Sequence, residues 1–396
     1  MLRLTCIPPT VRIFLEGVRG CFRHRHFLAF SWLLILHVVS NRPANLKELA
    51  RQGPSHLAYY HFRRLLCAGY WWSKTLFDWF VWQAIRALPP PEDGICYVLA
   101  DSTFKNKRGK KNPAAKKGRL SKLHPYLFGI QIVFLVIHWD VYRIPVDFEI
   151  VRRKNDPKYQ KENELFRQML KRFHPPAWAR HVIVVADAAY ASKANFKAIK
   201  KRRWFFVMAC ARTWKFANGQ ALRNLVNHLP RYRYRKTWLP SPNGKRRHTY
   251  WVYAKRTSLR HLGDVTVVLS KLRRNDGPKA TKILVTNLPK SVPVRAIVAI
   301  YQKRWYVELL IGELKGVTGL GQHQVTKKID RVERSIGISV LAYLMLIKLR
   351  AKDIPKSGSW SAFQLKRNFA WEVGQEQLER SARKLARKWL RERKVA

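Results

Sequence analysis

Apolar positions change their spacing several times along the chain. Up to about residue 90 they recur at helical intervals, and residues 27–39 are apolar on every side. A helix that is apolar all round belongs inside a bundle. This run is shorter than the roughly 20 residues a membrane span needs, and it carries Ser31 and His37. A secretory leader would place its apolar core sooner and follow it with a small-residue cleavage site. Residues 45–53 read as a short helix capped by Asn45 and stopped by Gly53. Residues 56–66 read as a second, with Ser55 as its N-cap. Two short helices around a Gly-containing turn have the form of a helix-turn-helix, with Arg63 and Arg64 on the second helix placed for phosphate or guanine. An ordinary helical hairpin has the same pattern.

Pro89-Pro90-Pro91 and Asp93-Gly94 break the helical pattern, and a domain boundary is expected there. Residues 96–100 form a short apolar, β-branched run ending at Asp101. Residues 126–139 and 141–152 read as long strands around a tight turn at Asp140. Asn155-Asp156-Pro157 opens a helix reaching about residue 173. Residues 182–186 are a buried strand ending at Asp187, 193–203 a basic helix and 204–211 a fifth strand. Three adjacent strands, then helix, strand, helix and strand, predict an α/β fold with a mixed sheet. From 212 to 290 aromatic, basic and β-branched residues alternate between turns, which predicts an antiparallel β insertion. From Val292 the pattern is helical again, and residues 375–394 form a basic amphipathic helix. The expected units are therefore 1–92, 93–211, 212–290, 291–325 and 326–396, with helical regions at both ends of the core.

Charge narrows the function. The 396 residues hold 78 Lys and Arg against 24 Asp and Glu, a formal net charge of +54. A globule with that surplus repels itself unless a polyanion neutralises it, so nucleic acid gripped through its phosphates is the expected partner. A packaging protein of the ribosomal kind would bring a short chain or low-complexity arms, and this chain has neither. Five cysteines in irregular positions, with no C-x-x-C pair, exclude a zinc-finger or disulfide framework. Reduced thiols in the cytosol are the simpler account.

Acids are scarce, so their positions carry information. Asp101 and Asp187 both end apolar strands, where ligands gather in α/β sheets. Paired carboxylates there suit hard divalent cations, Mg²⁺ or Mn²⁺, and two such ions can drive an in-line phosphoryl displacement. A third carboxylate is expected from the helix after the insertion. Tyr301, Arg304, Glu308 and Lys315 are offset by 3, 7 and 14 residues, which places them within roughly 60° on one helix face, whereas Glu313 points about 120° away. Helix geometry thus selects Glu308. Against the chemical reading, Asp101 would cap a turn, Asp187 would be a loop acid, and Glu308 would pair with Arg304 on an exposed face.

The spacing Tyr-x2-Arg-x3-Glu-x6-Lys resembles the signature around the catalytic Glu of bacterial insertion-sequence transposases of the DDE type. Asp101-Ser-Thr resembles the first catalytic Asp of that family, and Asp187-Ala-Ala-Tyr190 the second, although Arg or Gly often stands where this chain has Ala188. The resemblance covers about residues 95–325. It implies an RNase H-like core with a β insertion, two Mg²⁺ or Mn²⁺ ions on Asp101, Asp187 and Glu308, and DNA cleavage followed by strand transfer. It also implies phosphate contacts from Tyr301, Arg304 and Lys315, double-stranded DNA as partner (inverted repeats and target), a homodimer on DNA, and a cytoplasmic, nucleoid-associated setting in a bacterium or archaeon. The basic segment 105–117, with Lys105, Lys107 and Arg108, follows the first Asp and is expected to touch DNA. Trp238, Trp251 and Trp305 are candidates for stacking on an unpaired base, with core packing the commoner fate of Trp. Two alternatives remain open: an RNase H-like metal-dependent nuclease, and a catalytically silent DNA-binding descendant of a transposase.

Overall fold

The computed structural model describes residues 4–40, 45–106, 112, 114–118, 127–240, 247–322 and 328–393. Five helices come first: α1 (Pro9–Glu16), α2 (His24–Val39), α3 (Leu46–Gln52), α4 (Tyr59–Cys67) and α5 (Lys74–Arg86). The all-round apolar run becomes α2 and is buried almost throughout. Asn45 caps α3, accepting from the Glu48 N–H at 2.8 Å. The second short helix starts later than expected. Residues 54–57 close a turn of their own, with the Leu57 N–H bonded to the Pro54 carbonyl. The cap of α4 is Ala58, whose N–H donates to His61 Nδ1 at 3.1 Å, so Ser55 does not cap it.

The sheet follows: β1 (Ile95–Asn106), β2 (Lys116–Gly118), β3 (Leu127–Trp139) and β4 (Tyr142–Ile150), then α6 (Glu162–Arg172), β5 (His181–Ala186), α7 (Lys193–Lys201) and β6 (Phe205–Ala209). Asp140 makes the β3–β4 turn with φ 45°. The helix expected at Asp156 begins at Glu162 instead. Asp156 uses its carboxylate on a turn, accepting from the Lys158 N–H at 2.8 Å, while Glu164 caps the helix through the Lys161 N–H. The strand carrying Asp101 also does not end there. It continues to Asn106, because β3 pairs with it from Tyr97 to Asn106, while the parallel partner β5 stops at Ala186 opposite Ala100.

After β6 come α8 (Leu222–His228), β7 (Arg235–Pro240), β8 (Arg247–Leu259), β9 (Gly263–Lys271) and β10 (Lys282–Thr286). The stretch read as an antiparallel β insertion thus contains a helix, and its strands are not a separate sheet. β10 pairs antiparallel with β6, which gives one ten-stranded mixed sheet in the order β2-β3-β1-β5-β6-β10-β9-β8-β7, with β4 also on β3. The chain ends in α9 (Val294–Gln302), α10 (Trp305–Gly316), α11 (Ile329–Leu349) and α12 (Ala362–Arg393).

The helical regions at the two ends of the sequence form one layer. α11, buried along nearly its whole length, packs on α2, α4, α5 and α12, and meets the sheet at β4. Arg334 Nε donates to the Leu66 carbonyl at 2.8 Å, and Trp72 Nε1 donates to Glu333 at 2.9 Å. These bonds lock the last third of the chain to the first. No helix among the described residues is long and apolar enough to cross a membrane.

Candidate active site

β1 and β5 run parallel as neighbours, so Asp101 and Asp187 leave the paired region at the same sheet edge. Ala100 and Ala186 precede them in register and are fully buried. Each carboxylate is oriented by its own backbone: Asp101 Oδ1 accepts from the Ser102 N–H at 2.8 Å, and Asp187 Oδ1 from the Ala188 N–H at 2.7 Å. Ala188, the departure from the family pattern, therefore supplies the backbone donor that holds Asp187.

The third acid arrives on a helix that is not continuous. Lys303 and Arg304 interrupt the run between α9 and α10, where N–H groups of 303, 304, 306 and 307 bond three residues back rather than four. The break tightens the turn, so uniform helix arithmetic across 301–315 is only approximate here. It nevertheless leaves Tyr301, Arg304 and Glu308 together. Arg304 Nη1 lies 3.2 Å from Asp101 Oδ2 and Nη2 lies 2.5 Å from Glu308 Oε1, while the Tyr301 hydroxyl is 3.5 Å from Asp187 Oδ1. Residues from β1, the end of β5 and α9–α10 thus meet around one guanidinium and one phenol. Burial pushes the Asp101 carboxyl above its ordinary range, and the nearby Glu308 and Asp187 charges push the same way, against the Ser102 N–H and Arg304. Burial, and then the Asp187 charge, raise the Tyr301 phenol.

Glu313, the rival acid, is turned away and fully engaged. It pairs with buried Arg143 of β4, accepts from the Tyr343 hydroxyl of α11 at 3.0 Å, and accepts from the Ala362 N–H at 3.1 Å. Lys315 does not join the acids. It is half-buried near Lys105, and burial first, then that neighbouring charge, lower its pKa. Arg63 and Arg64 are exposed on α4, which packs on α2, α3 and α11. Lys107 and Arg108 lie outside the described residues.

A second polar cluster stands behind Asp101, and sequence reasoning missed it. Glu162 accepts from the Tyr190 hydroxyl at 2.6 Å and from Gln131 Nε2 at 2.8 Å, and Gln131 also reaches Ser102 Oγ at 3.1 Å. Through these bonds the turn after Asp187 is tied to the residue after Asp101. Tyr190 was visible as the aromatic residue after the second Asp, but nothing in the local pattern marked Glu162.

The three carboxylates suit a hard divalent cation by chemistry, since they offer oxygen alone and their charges oppose one another. Among the described residues no three acidic, His or Cys side chains are already drawn together tightly enough to hold an ion. Arg304 pairs with Asp101 and Glu308 at once. Next to it a hollow of about 350 Å³ opens between α9–α10 and β8–β10, lined by Tyr250, Lys271, Lys282, Gln302 and Trp305. Trp305 is 45% exposed there, Trp238 carries Lys236 over its ring and Trp251 carries Arg274.

Comparison with solved structures finds a piggyBac transposase, determined by cryo-electron microscopy as a synaptic complex with hairpin DNA. It is 11% identical, covers 94% of this chain and 78% of that one, and has a TM-score of 0.50. That likeness supports the transposase-like, RNase H-like fold seen in the strand order. No curated protein matches the sequence. The family model for the transposase DDE domain matches residues 139–345, which include Asp187 and Glu308 and begin after Asp101. The match takes in more than half of the chain, and the chain belongs to the transposase DDE domain family, a family of phosphoryl-transfer enzymes.

Proposed function

We propose that the chain is a cut-and-paste DNA transposase of the insertion-sequence type, with Asp101, Asp187 and Glu308 as its metal-binding carboxylates. The observation that carries this reading is the convergence of three acids from separate elements on Arg304 and Tyr301. Divalent ions held by such acids supply activation of the attacking oxygen and stabilisation of the leaving one. The chain's own residues do the rest. Arg304 is a bidentate donor that a phosphate of the transposon end would draw off the carboxylates, and freeing Asp101 and Glu308 is what lets them face a cation. Tyr301 offers its hydroxyl beside Asp187, and Lys105 and Lys315 extend the positive edge for the DNA backbone. Lys107 and Arg108 are assigned to the same edge from sequence, and Arg63 and Arg64 to duplex contacts by the helical region 1–92. Units 93–211 and 291–325 then form the catalytic core, with 212–290 beside it and 326–396 supporting it. The partner is double-stranded DNA, bound as a homodimer.

The test is cleavage of duplexes carrying the inverted repeats that flank the gene, in Mg²⁺ or Mn²⁺. Glu308→Gln, Asp101→Asn and Asp187→Asn should each reduce cutting by more than about a hundredfold, beyond the usual 10–100-fold effect of an outer-shell change. Specific binding of those ends with no cutting by the native protein would leave a DNA-binding protein instead. Cutting of any duplex without joining would favour a nuclease.

A further inference from the structure

α12 is the longest helix of the protein, and only part of it lies on the body. Leu365, Phe369, Val373 and Gln377 are buried against the rest of the molecule, with Gln377 bonded to Thr5 and Cys6. From Ser381 onward the described side chains are exposed. On the opposite side of the helix stand Trp371, Leu378 and Leu385, which are 68%, 46% and 68% exposed, and Trp389, 52% exposed. At about 100° per residue these four fall within roughly 40° of one another and about 180° from the buried face. With Gln375 and Ala382 they make a stripe, 371-375-378-382-385-389, whose alternating steps of four and three are the seam of a coiled coil.

The stripe's occupant is indicated by its charges. It carries no charged residue, although eight of the nineteen residues from 371 to 389 are charged. A DNA-binding face of so basic a protein would carry cations. Residues 372–379 hold Glu372, Glu376 and Glu379 and no Lys or Arg, whereas 380–393 hold seven Lys and Arg and one Glu. Two copies of this helix laid antiparallel about a point near residue 380 bring Trp371 opposite Trp389, Leu378 opposite Ala382, and each acidic block beside the other's basic block. A parallel pair would set the two basic blocks side by side.

We propose that the outer face of α12 pairs with the same face of a second copy of the chain, antiparallel and without DNA. Two Trp and two Leu per copy offer on the order of 500 Å² each, near the ~1,000 Å² total that a specific interface needs. The pairing leaves the packing of α12 on its own body untouched, because the two faces are opposed. It does not depend on the carboxylate site: it is read from oligomeric state without DNA, and the catalytic reading from cleavage.

The full chain should elute as a dimer in size-exclusion chromatography with light scattering at tens of micromolar. Leu378→Glu/Leu385→Glu, with an unchanged circular-dichroism spectrum, should dissociate at least a hundredfold more readily. Should that variant misfold, orientation and pairing are read with a short bis-maleimide on single-cysteine additions, against the native chain as background. Ser381→Cys lies on the flank of the seam, two residues of rise from its mate, and should be cross-linked across a helix pair about 8–10 Å apart. Leu385→Cys should not, since ten residues of helix, about 15 Å, separate it from its mate. A monomeric native protein, association only when DNA is added, an unaffected double variant, or equal cross-linking at both positions would each overturn the proposal.

Discussion

Replacing Glu313 by Gln separates its structural role from the metal-binding role proposed for Glu308. Glu313 is 6% exposed and Arg143, its partner, 4%. Its two oxygens accept from Arg143 Nε at 2.8 Å and from Arg143 Nη2, from Tyr343 at 3.0 Å and from the Ala362 N–H at 3.1 Å. Every one of these partners is a donor, so a Gln amide pointed either way sets N–H against N–H. The guanidinium, held between this pair and the Trp360 ring 3.9 Å away, is left as an uncompensated buried charge. Removing one partner of such a pair costs about 3–5 kcal/mol, a large share of the roughly 5–15 kcal/mol that holds a typical domain. The loss also releases four elements at once, since β4, α10, α11 and α12 meet at this carboxylate. Urea unfolding followed by tryptophan fluorescence should show a lower midpoint with an unchanged slope. Cutting per folded molecule should stay within a few-fold of native. Replacing both members with apolar residues, Arg143→Met/Glu313→Leu, should recover much of the stability. A Glu313→Gln protein as stable as native but unable to cut would refute the assignment of Glu308 and move the chemistry to Glu313.

With Asp101 as the metal ligand proposed above, Mg²⁺ binding competes with its protonation; burial raises that carboxyl, so binding should weaken on acidification from a pH above the 3.8 of an ordinary Asp, and in Arg304→Ala, which loses a charge that lowers it, from a still higher pH. Burial pushes His37 down to about 4 from 6.5. The unfolded chain therefore binds a proton that the folded one does not, and stability present above pH 6.5 should be lost as pH falls toward 4, by up to roughly 3 kcal/mol. Buried His138 adds in the same direction, and the slope measured by unfolding across that window should flatten in His37→Gln. Gly129→Ala would set a Cβ 2.3 Å from the Lys105 carbonyl; it should part β1 from β3 there and cost about 1–3 kcal/mol in thermal unfolding.

Much of the architecture was legible because burial writes itself into spacing. The unbroken apolar face of α2 and the β-branched runs of β1, β3 and β5 needed no tertiary information. What was lost depended on distant partners. Residues 102–106 are ordinary for a strand or a loop, and only β3 makes them strand. Lys303 and Arg304 are good helix formers, yet the chain tightens there, where Arg304 meets two carboxylates from opposite directions in sequence. Ser55 and Asp156 are apt caps whose backbone neighbourhoods had already turned. Glu162 looks like any first-turn acid until Tyr190 and Gln131 reach it from 28 and 31 residues away. For the same reason nothing local foretold that the first and last helices share one layer.

The antiparallel pairing of β10 with β6 has a consequence for how such a chain can vary. The backbone leaves β6 at Ala209 and comes back on β10 beside it, with Leu284 opposite Ala209. Exit and re-entry are a single strand spacing apart, and the intervening strands β7, β8 and β9 extend the same sheet outward from β10. Residues can be gained or lost within that extension while the strands bearing Asp101 and Asp187 keep their register, and α9 still starts from a fixed threshold. Changes of length at this far end of the sheet are therefore compatible with an unaltered arrangement of Asp101, Asp187 and Glu308.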